Sequence, residues 1–218
     1  MPKIENFIFP KWSNYVLPTV LISITIILSI LIGVIWYWMS PKHTDVGYMP
    51  EQPIPYSHKL HAGELGIDCR YCHVNVEKSP KATIPPTEIC MNCHKTIKKD
   101  SPHIEKIRSS FANNTPIEWV RVHKLPDYAY FDHSRHVNSG VSCVECHGRV
   151  DKMEVVRQVE PLSMSWCLDC HRSPAKHIRP KDKVTDLTWT TKNKEQLGME
   201  LIKKYHIKTS EDCSTCHR

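Results

Sequence analysis

Residues 69–73 read Cys69-Arg70-Tyr71-Cys72-His73, and the same spelling, Cys-x-x-Cys-His, returns at Cys90/Cys93/His94, Cys143/Cys146/His147, Cys167/Cys170/His171 and Cys213/Cys216/His217. The five copies use all ten cysteines of the 218-residue chain. This run is the attachment pattern for c-type haem. Two thiols add across the porphyrin vinyl groups, and the histidine that follows becomes the proximal iron ligand. The spelling predicts five covalently bound haem c, held by the ten cysteines, with His73, His94, His147, His171 and His217 as proximal ligands. Four-thiolate zinc sites would leave one pair over and give no reason for a histidine after every pair. Cysteines three apart make poor disulfide partners, and no βαβ pattern surrounds the motifs as a thioredoxin-type site requires.

Aligning the motifs on each other exposes an internal repeat. Residues 55–61 (PYSHKLH) precede Cys69, with a second motif at Cys90; residues 130–136 (YFDHSRH) precede Cys143, with a second motif at Cys167. The offset is 75 residues between the His-x-x-His elements, 74 between the first motifs and 77 between the second. Such periodicity marks repeated structural units. The expected organisation is a tail over 1–15, an apolar span over 16–39 and a linker over 40–54. Diheme units over 55–112 and 113–180 follow, then a C-terminal segment, 181–218, with the fifth haem.

Residues 16–39 (VLPTVLISITIILSILIGVIWYWM) contain no charge. As a helix they extend about 36 Å, enough to cross a hydrocarbon layer of about 30 Å with tilt. Trp36, Tyr37 and Trp38 suit the interface at one end, and Pro18 is expected in the first turn, where proline is tolerated. A cleaved signal peptide would have an apolar core of about 7–15 residues and a small-residue cleavage site, which Ser40-Pro41-Lys42 does not supply. An uncleaved signal anchor is the expectation. Haem attachment requires export, so residues 42–218 are expected on the periplasmic face of the cytoplasmic membrane and the tail inside. Lys3 and Lys11 ahead of the span agree with that orientation.

About 180 residues then surround five porphyrins, too few for an ordinary apolar core, so the porphyrins themselves are expected to form the interior. The expected fold is a multihaem cytochrome c: mostly short α-helices and loops packed around five c-type haems, plus one N-terminal transmembrane helix. Helices are expected over 87–94, 102–112 (exposed and charged) and 193–205, with Asn193 as N-cap. Thr209 is expected to cap a final turn carrying Cys213, and 117–122 to be extended. The formal charge of +6 does not signal nucleic acid. Each ferric haem with two propionates contributes about −1, leaving the holoprotein near neutral and about −4 when fully reduced.

Nine histidines remain beyond the five proximal ones. The His-x-x-His spacing resembles that of class III and triheme cytochromes, in which the two histidines serve two different haems. Carried over, His58 and His61 supply two distal ligands, and His133 and His136 two more. For the fifth iron, His123 and Met164 are the candidates, with His103, His177 and His206 behind them; a Met164 ligand would raise that haem's potential relative to two histidines.

Residues 52–63 (QPIPYSHKLHAG), 119–136, 161–172 (PLSMSWCLDCHR) and 212–218 (DCSTCHR) resemble the pentahaem cytochrome subunit of bacterial alternative complex III. The resemblance covers the apolar span and essentially the whole exported part. It implies a non-catalytic electron-transfer subunit of a quinol:electron-acceptor oxidoreductase. Electrons would come from an iron–sulfur protein subunit beside integral membrane subunits, and a monohaem cytochrome c or a terminal oxidase would accept them.

Two other functions fit parts of the pattern. A membrane-anchored quinol dehydrogenase of the tetra- or pentahaem type, feeding a periplasmic reductase, also joins one N-terminal helix to haem motifs. There the first haem lies close to the membrane exit, whereas Cys69 follows Met39 by 30 residues. An enzyme reducing nitrite or hydroxylamine needs an iron with an open distal position, often with lysine as proximal ligand. All five motifs here end in histidine.

Overall fold

The computed structural model describes residues 9–217. Of the tail expected over 1–15, the first eight residues lie outside the described residues. The chain divides between Thr44 and Asp45 into two compact units.

The first unit carries α1 (Ser13–Trp38) and the short α2 (Pro41–Thr44). Helix α1 begins three residues before the apolar span expected over 16–39, because Ser13 folds back onto the Pro10 carbonyl through its hydroxyl (2.7 Å) and its amide (3.0 Å). Pro18 therefore falls in the second turn rather than the first, where it removes the amide that would bond to the Asn14 carbonyl. Thr19 and Thr25 donate their hydroxyls to the carbonyls of Tyr15 (2.6 Å) and Leu21 (2.9 Å), so neither presents a free polar group to apolar surroundings. No residue of α1 is buried, and its apolar side chains face outward all round. The helix is long and apolar enough to cross a membrane.

Among the described residues the second unit holds eight short α-helices: α3 (Cys69–Cys72), α4 (Thr87–His94), α5 (Pro102–Ala112), α6 (His133–Asn138), α7 (Cys143–His147), α8 (Met164–Arg172), α9 (Lys194–Tyr205) and α10 (Cys213–Cys216). Every cysteine motif lies on one of them, and the residues ahead of the motifs explain why. Asp68 accepts from the Arg70 amide (2.8 Å), Ser142 from Val144 (3.4 Å) and Ser163 from Trp166 (3.4 Å), each satisfying a first-turn amide. Helix α4 instead starts after the extended Pro86. At α10 the N-cap position belongs to Asp212, whose side chain makes no capping bond, and Thr209 takes no part. Ser210 organises that turn, bonding to Asp212 and Thr215. Asn193 occupies the N-cap of α9 but accepts through its carbonyl, from Leu197 (3.0 Å), not its side chain.

Helix α5 departs from expectation in packing. Ile104, Ile107 and Ser110 turn inward, and Ile54 joins the two isoleucines in a small apolar cluster against Cys90, Met91, Ile117 and Trp119. Ile178, Val184, Leu187 and Leu201 are also buried. Helix α9 approaches the turn at Pro174–Lys176 so closely that a Cβ on Gly198 would collide with the Ala175 carbonyl. Few side chains are deeply buried among the described residues of this unit.

The sequence repeat is a structural one. Tyr56 stacks on His61 (4.5 Å, 25°) and meets His58 edge-on (4.8 Å, 85°); Phe131 does the same to His136 (4.4 Å, 30°) and His133 (4.8 Å, 87°). One difference is backbone winding, since Lys59–Glu64 forms a π-helical turn where the second copy is α-helical. The repeats also exchange contacts. The Lys59 amide donates to Met153 (2.9 Å), and the Ser134 amide to Ser79 (3.3 Å). Gly63 closes on the Asp151 carbonyl, and Asn138 donates to the Glu77 carbonyl (2.9 Å).

Candidate functional site

A histidine binds a metal through a neutral ring nitrogen, and its other nitrogen usually donates a hydrogen bond that fixes ring and tautomer. That arrangement recurs here. Nδ1 lies against a backbone carbonyl in His73 (Thr83, 2.7 Å), His94 (Ile97, 3.1 Å), His171 (Ser210, 2.8 Å) and His217 (Tyr128, 3.1 Å). The same holds in His61 (Ser57, 2.9 Å), His133 (Pro80, 2.8 Å) and His136 (Asp132, 2.7 Å). A carbonyl only accepts, so the proton belongs on Nδ1 and Nε2 keeps its lone pair. Four of these rings belong to cysteine motifs and three to the His-x-x-His elements.

The rings also meet in pairs. His61 and His94 have centres 6.2 Å apart, His136 and His171 6.1 Å, and His133 and His147 6.4 Å. An imidazole nitrogen binds a metal at about 2.0 Å, which sets two imidazoles on opposite faces of one ion roughly 6 Å apart, centre to centre. In each pair one ring comes from a His-x-x-His element and the other from a cysteine motif. The fourth member of the elements, His58, is the electrostatic neighbour of His73. Its Nδ1 is buried without a partner.

Burial keeps several of these rings neutral. It lowers His58 to about 4, with His73 and His61 adding to the effect. Burial also lowers His147 to about 3, helped by His123, His133, His73 and His58, and it lowers His136 and His123. A neutral ring in dry surroundings is the ligating form.

All ten cysteines are free of disulfides. Eight are half-buried. Cys93 and Cys213 are exposed. Cys93 lies in the last turn of α4, beyond the contacts that Cys90 and Met91 make with the Ile54 cluster, and residues 95–100 after it are exposed as well. Cys213 opens α10 within an exposed run over 211–215. These two motifs each keep one thiol half-buried, Cys90 and Cys216, and carry the other at the surface. Paired imidazoles, a thiol pair beside each proximal ring, and a thin apolar core together fit c-type haem.

The candidates for a fifth distal ligand are scattered. His123 packs edge-on against His147 (4.4 Å between centres), its Nε2 3.3 Å from His147 Nδ1. Met164 is exposed at the first residue of α8. His177 donates from Nδ1 to Glu145 (2.8 Å), while His103 and His206 are exposed. The aromatic ring beside His217 is that of Tyr128, at 5.8 Å.

Two features were not anticipated from sequence. The aromatic partners Tyr56 and Phe131 occupy equivalent places in the aligned repeats, so alignment carried the signal. The second is a buried charge cluster on α7. Glu145 meets His177, Lys194 (3.0 Å) and the almost fully buried Arg179 (3.3 Å). Burial opposes ionisation of Glu145, yet hydrogen bonds from His177 and Lys194 hold its carboxyl down at about 2. Nothing in the local sequence pairs these residues.

Comparison with known proteins agrees with the geometry. Residues 135–218 match the cytochrome c3 family. Over 98 residues the chain is 31% identical to the multiheme cytochrome c subunit of menaquinone reductase from Nitratidesulfovibrio vulgaris. That match covers 44% of this chain and 46% of the relative, so it spans about half of either protein. Over residues 135–218 the chain is similar to the cytochrome c3 family, and that similarity implies covalently bound c-type haem.

Proposed function

We propose that the chain is the pentahaem electron-transfer subunit of a membrane respiratory complex, anchored by α1 with residues 42–218 on the periplasmic side. The observation that carries this reading is the set of ring pairs at 6.1–6.4 Å, each joining a cysteine-motif histidine to one from a His-x-x-His element. Haem c, when bound, supplies an iron that takes up and releases one electron. The protein's part is to bind, orient and insulate. Cys69/Cys72, Cys90/Cys93, Cys143/Cys146, Cys167/Cys170 and Cys213/Cys216 hold the five groups.

His58 pairs with His73, His61 with His94, His133 with His147 and His136 with His171. Carbonyl bonds to Nδ1 fix most of these rings in the tautomer whose Nε2 would be free to hold iron. His217 is the fifth proximal ligand. Two imidazoles at each of these four sites would leave a bound haem iron no open position for a substrate, so these sites would conduct rather than catalyse. Axial ligand, burial and nearby charge then grade the potentials.

An iron–sulfur subunit supplies quinol-derived electrons beside integral membrane subunits, and a monohaem cytochrome c or terminal oxidase receives them. The relative's name favours a second reading, in which the same wire runs toward menaquinone. Purification in mild detergent with identification of the co-purifying subunits separates these. An iron–sulfur subunit, with quinol oxidation by the complex and not by the isolated chain, supports the first. Rapid menaquinol oxidation by the isolated chain overturns it in favour of a quinol dehydrogenase. Net menaquinone reduction by the complex favours the second.

A further inference from the structure

Contacts between the repeats obey a rule that an arbitrary packing of two units would not. Lys59 with Met153 matches Ser134 with Ser79, since 59 and 134 are offset by 75 and 79 and 153 by 74. Gly63 with Asp151 and Asn138 with Glu77 are equivalent in the same way. Each unit therefore offers the other the same patch it receives, the mark of an isologous, two-fold interface. On a two-fold axis a residue meets its own equivalent, and Cys69 and Cys143, offset by 74, are electrostatic neighbours. The residues before them converge as well. Thr185 donates to Asp68 (2.9 Å), and Ser142 donates to the adjoining Val184 carbonyl (2.6 Å).

From this joint each unit leads outward. In the first, Asn92 of the Cys90 motif donates to the Tyr71 hydroxyl of the Cys69 motif (3.0 Å). In the second, Phe131 contacts both His133 and His136, whose partners are His147 and His171. The last motif is fastened to the second unit. His171 Nδ1 meets the Ser210 carbonyl, Arg172 pairs with Glu211 (2.9 Å), and the Tyr130 amide donates to Cys216 (2.8 Å).

We propose that the two diheme units are related by an approximate two-fold axis between Cys69 and Cys143, and that the haem sites form one unbranched row. Its order is the Cys90, Cys69, Cys143, Cys167 and Cys213 motifs. Sequence order and spatial order thus differ: the second motif in the chain is one end of the row, and the fifth is the other. Redox partners meet the row at the Cys90–His94 and Cys213–His217 ends, while the Cys69 and Cys143 sites are interior. This order rests on the reading that all five motifs hold haem.

Anomalous scattering at the iron edge, from crystals of the full-length holoprotein in detergent, tests both statements separately. Five iron peaks, with the Cys69 iron having the Cys90 and Cys143 irons as its two nearest neighbours, are expected. Five peaks with the Cys90 iron next to the Cys143 or Cys213 iron overturn the order and leave the pentahaem reading standing. Fewer than five peaks at full occupancy overturn both.

Discussion

The imidazoles of His133 and His147 lie almost parallel, with 7° between their planes and 6.4 Å between their centres. The other two ring pairs are strongly inclined, His61 to His94 by 53° and His136 to His171 by 47°. Parallel axial imidazoles split the iron d orbitals unevenly and give a rhombic low-spin ferric signal, whereas inclined planes give a broad signal at high g. Electron paramagnetic resonance of the oxidised protein should show a rhombic component from the Cys143 haem. His133→Met should remove that component and leave the high-g signals in place. Loss of a high-g signal instead would contradict the pairing.

Exchange of one distal histidine for methionine tests the ligand assignment through the potential. His136→Met should raise the potential of one haem by on the order of 0.1 V, a fraction of the roughly 0.8 V that axial ligands span. His103→Ala, on the exposed side of α5, should leave the redox titration unchanged. Spectroelectrochemistry of the two variants provides the comparison. An unmoved titration curve for His136→Met contradicts the assignment.

Glu145 is the counter-charge to Arg179, whose side chain is only 4% exposed. Glu145→Ala leaves that guanidinium buried and unpaired, at a cost of about 3–5 kcal/mol. Lys194→Ala removes a partner that is 42% exposed and should cost less than about 1 kcal/mol. Denaturant unfolding followed by the Soret band measures both. Equal effects would show that the cluster works as a surface network, not as compensation for Arg179.

Asp68 supplies a pH dependence. Hydrogen bonds from the Arg70 side chain, with smaller help from the Arg70 amide and Thr185, hold its carboxyl at about 2 against a modest opposing effect of burial. The unfolded value is about 3.9. A depressed value means that stabilisation is complete above the unfolded value and disappears as pH falls toward the folded one. The melting temperature should therefore drop between about pH 4 and pH 2, and Asp68→Asn should flatten that part of the curve. Because Asp68 is partly exposed, the variant's cost at neutral pH should be at the capping scale, about 1 kcal/mol.

What the sequence made legible followed from short-range rules. The cysteine motifs, the apolar helix, the repeat and helices such as α4 and α9 are written in spacing and composition over a few residues. The start of α1 was misplaced because a hydropathy pattern sees apolar residues and not the Ser13 hydroxyl folding back on Pro10. Helix α5 reads as charged and exposed, yet Ile104 and Ile107 need Ile54, about fifty positions earlier, to form a cluster. The exposure of Cys93 was equally hidden, since its motif is spelled like the other four and only the packing of α4 separates it from Cys90. Ring pairing was illegible for a similar reason. His136 and His171 are brought together by the second unit's folding, and no local pattern states which ring faces which. The meeting of Thr185 with Asp68 spans 117 residues, so it is visible only once the chain has closed on itself.

The pentahaem claim itself is open to a single mass determination. Intact-mass spectrometry of the purified full-length protein should give the polypeptide plus five haem masses, surviving denaturation because the bonds are thioethers. A mature polypeptide carrying four or fewer attached haems would contradict the account.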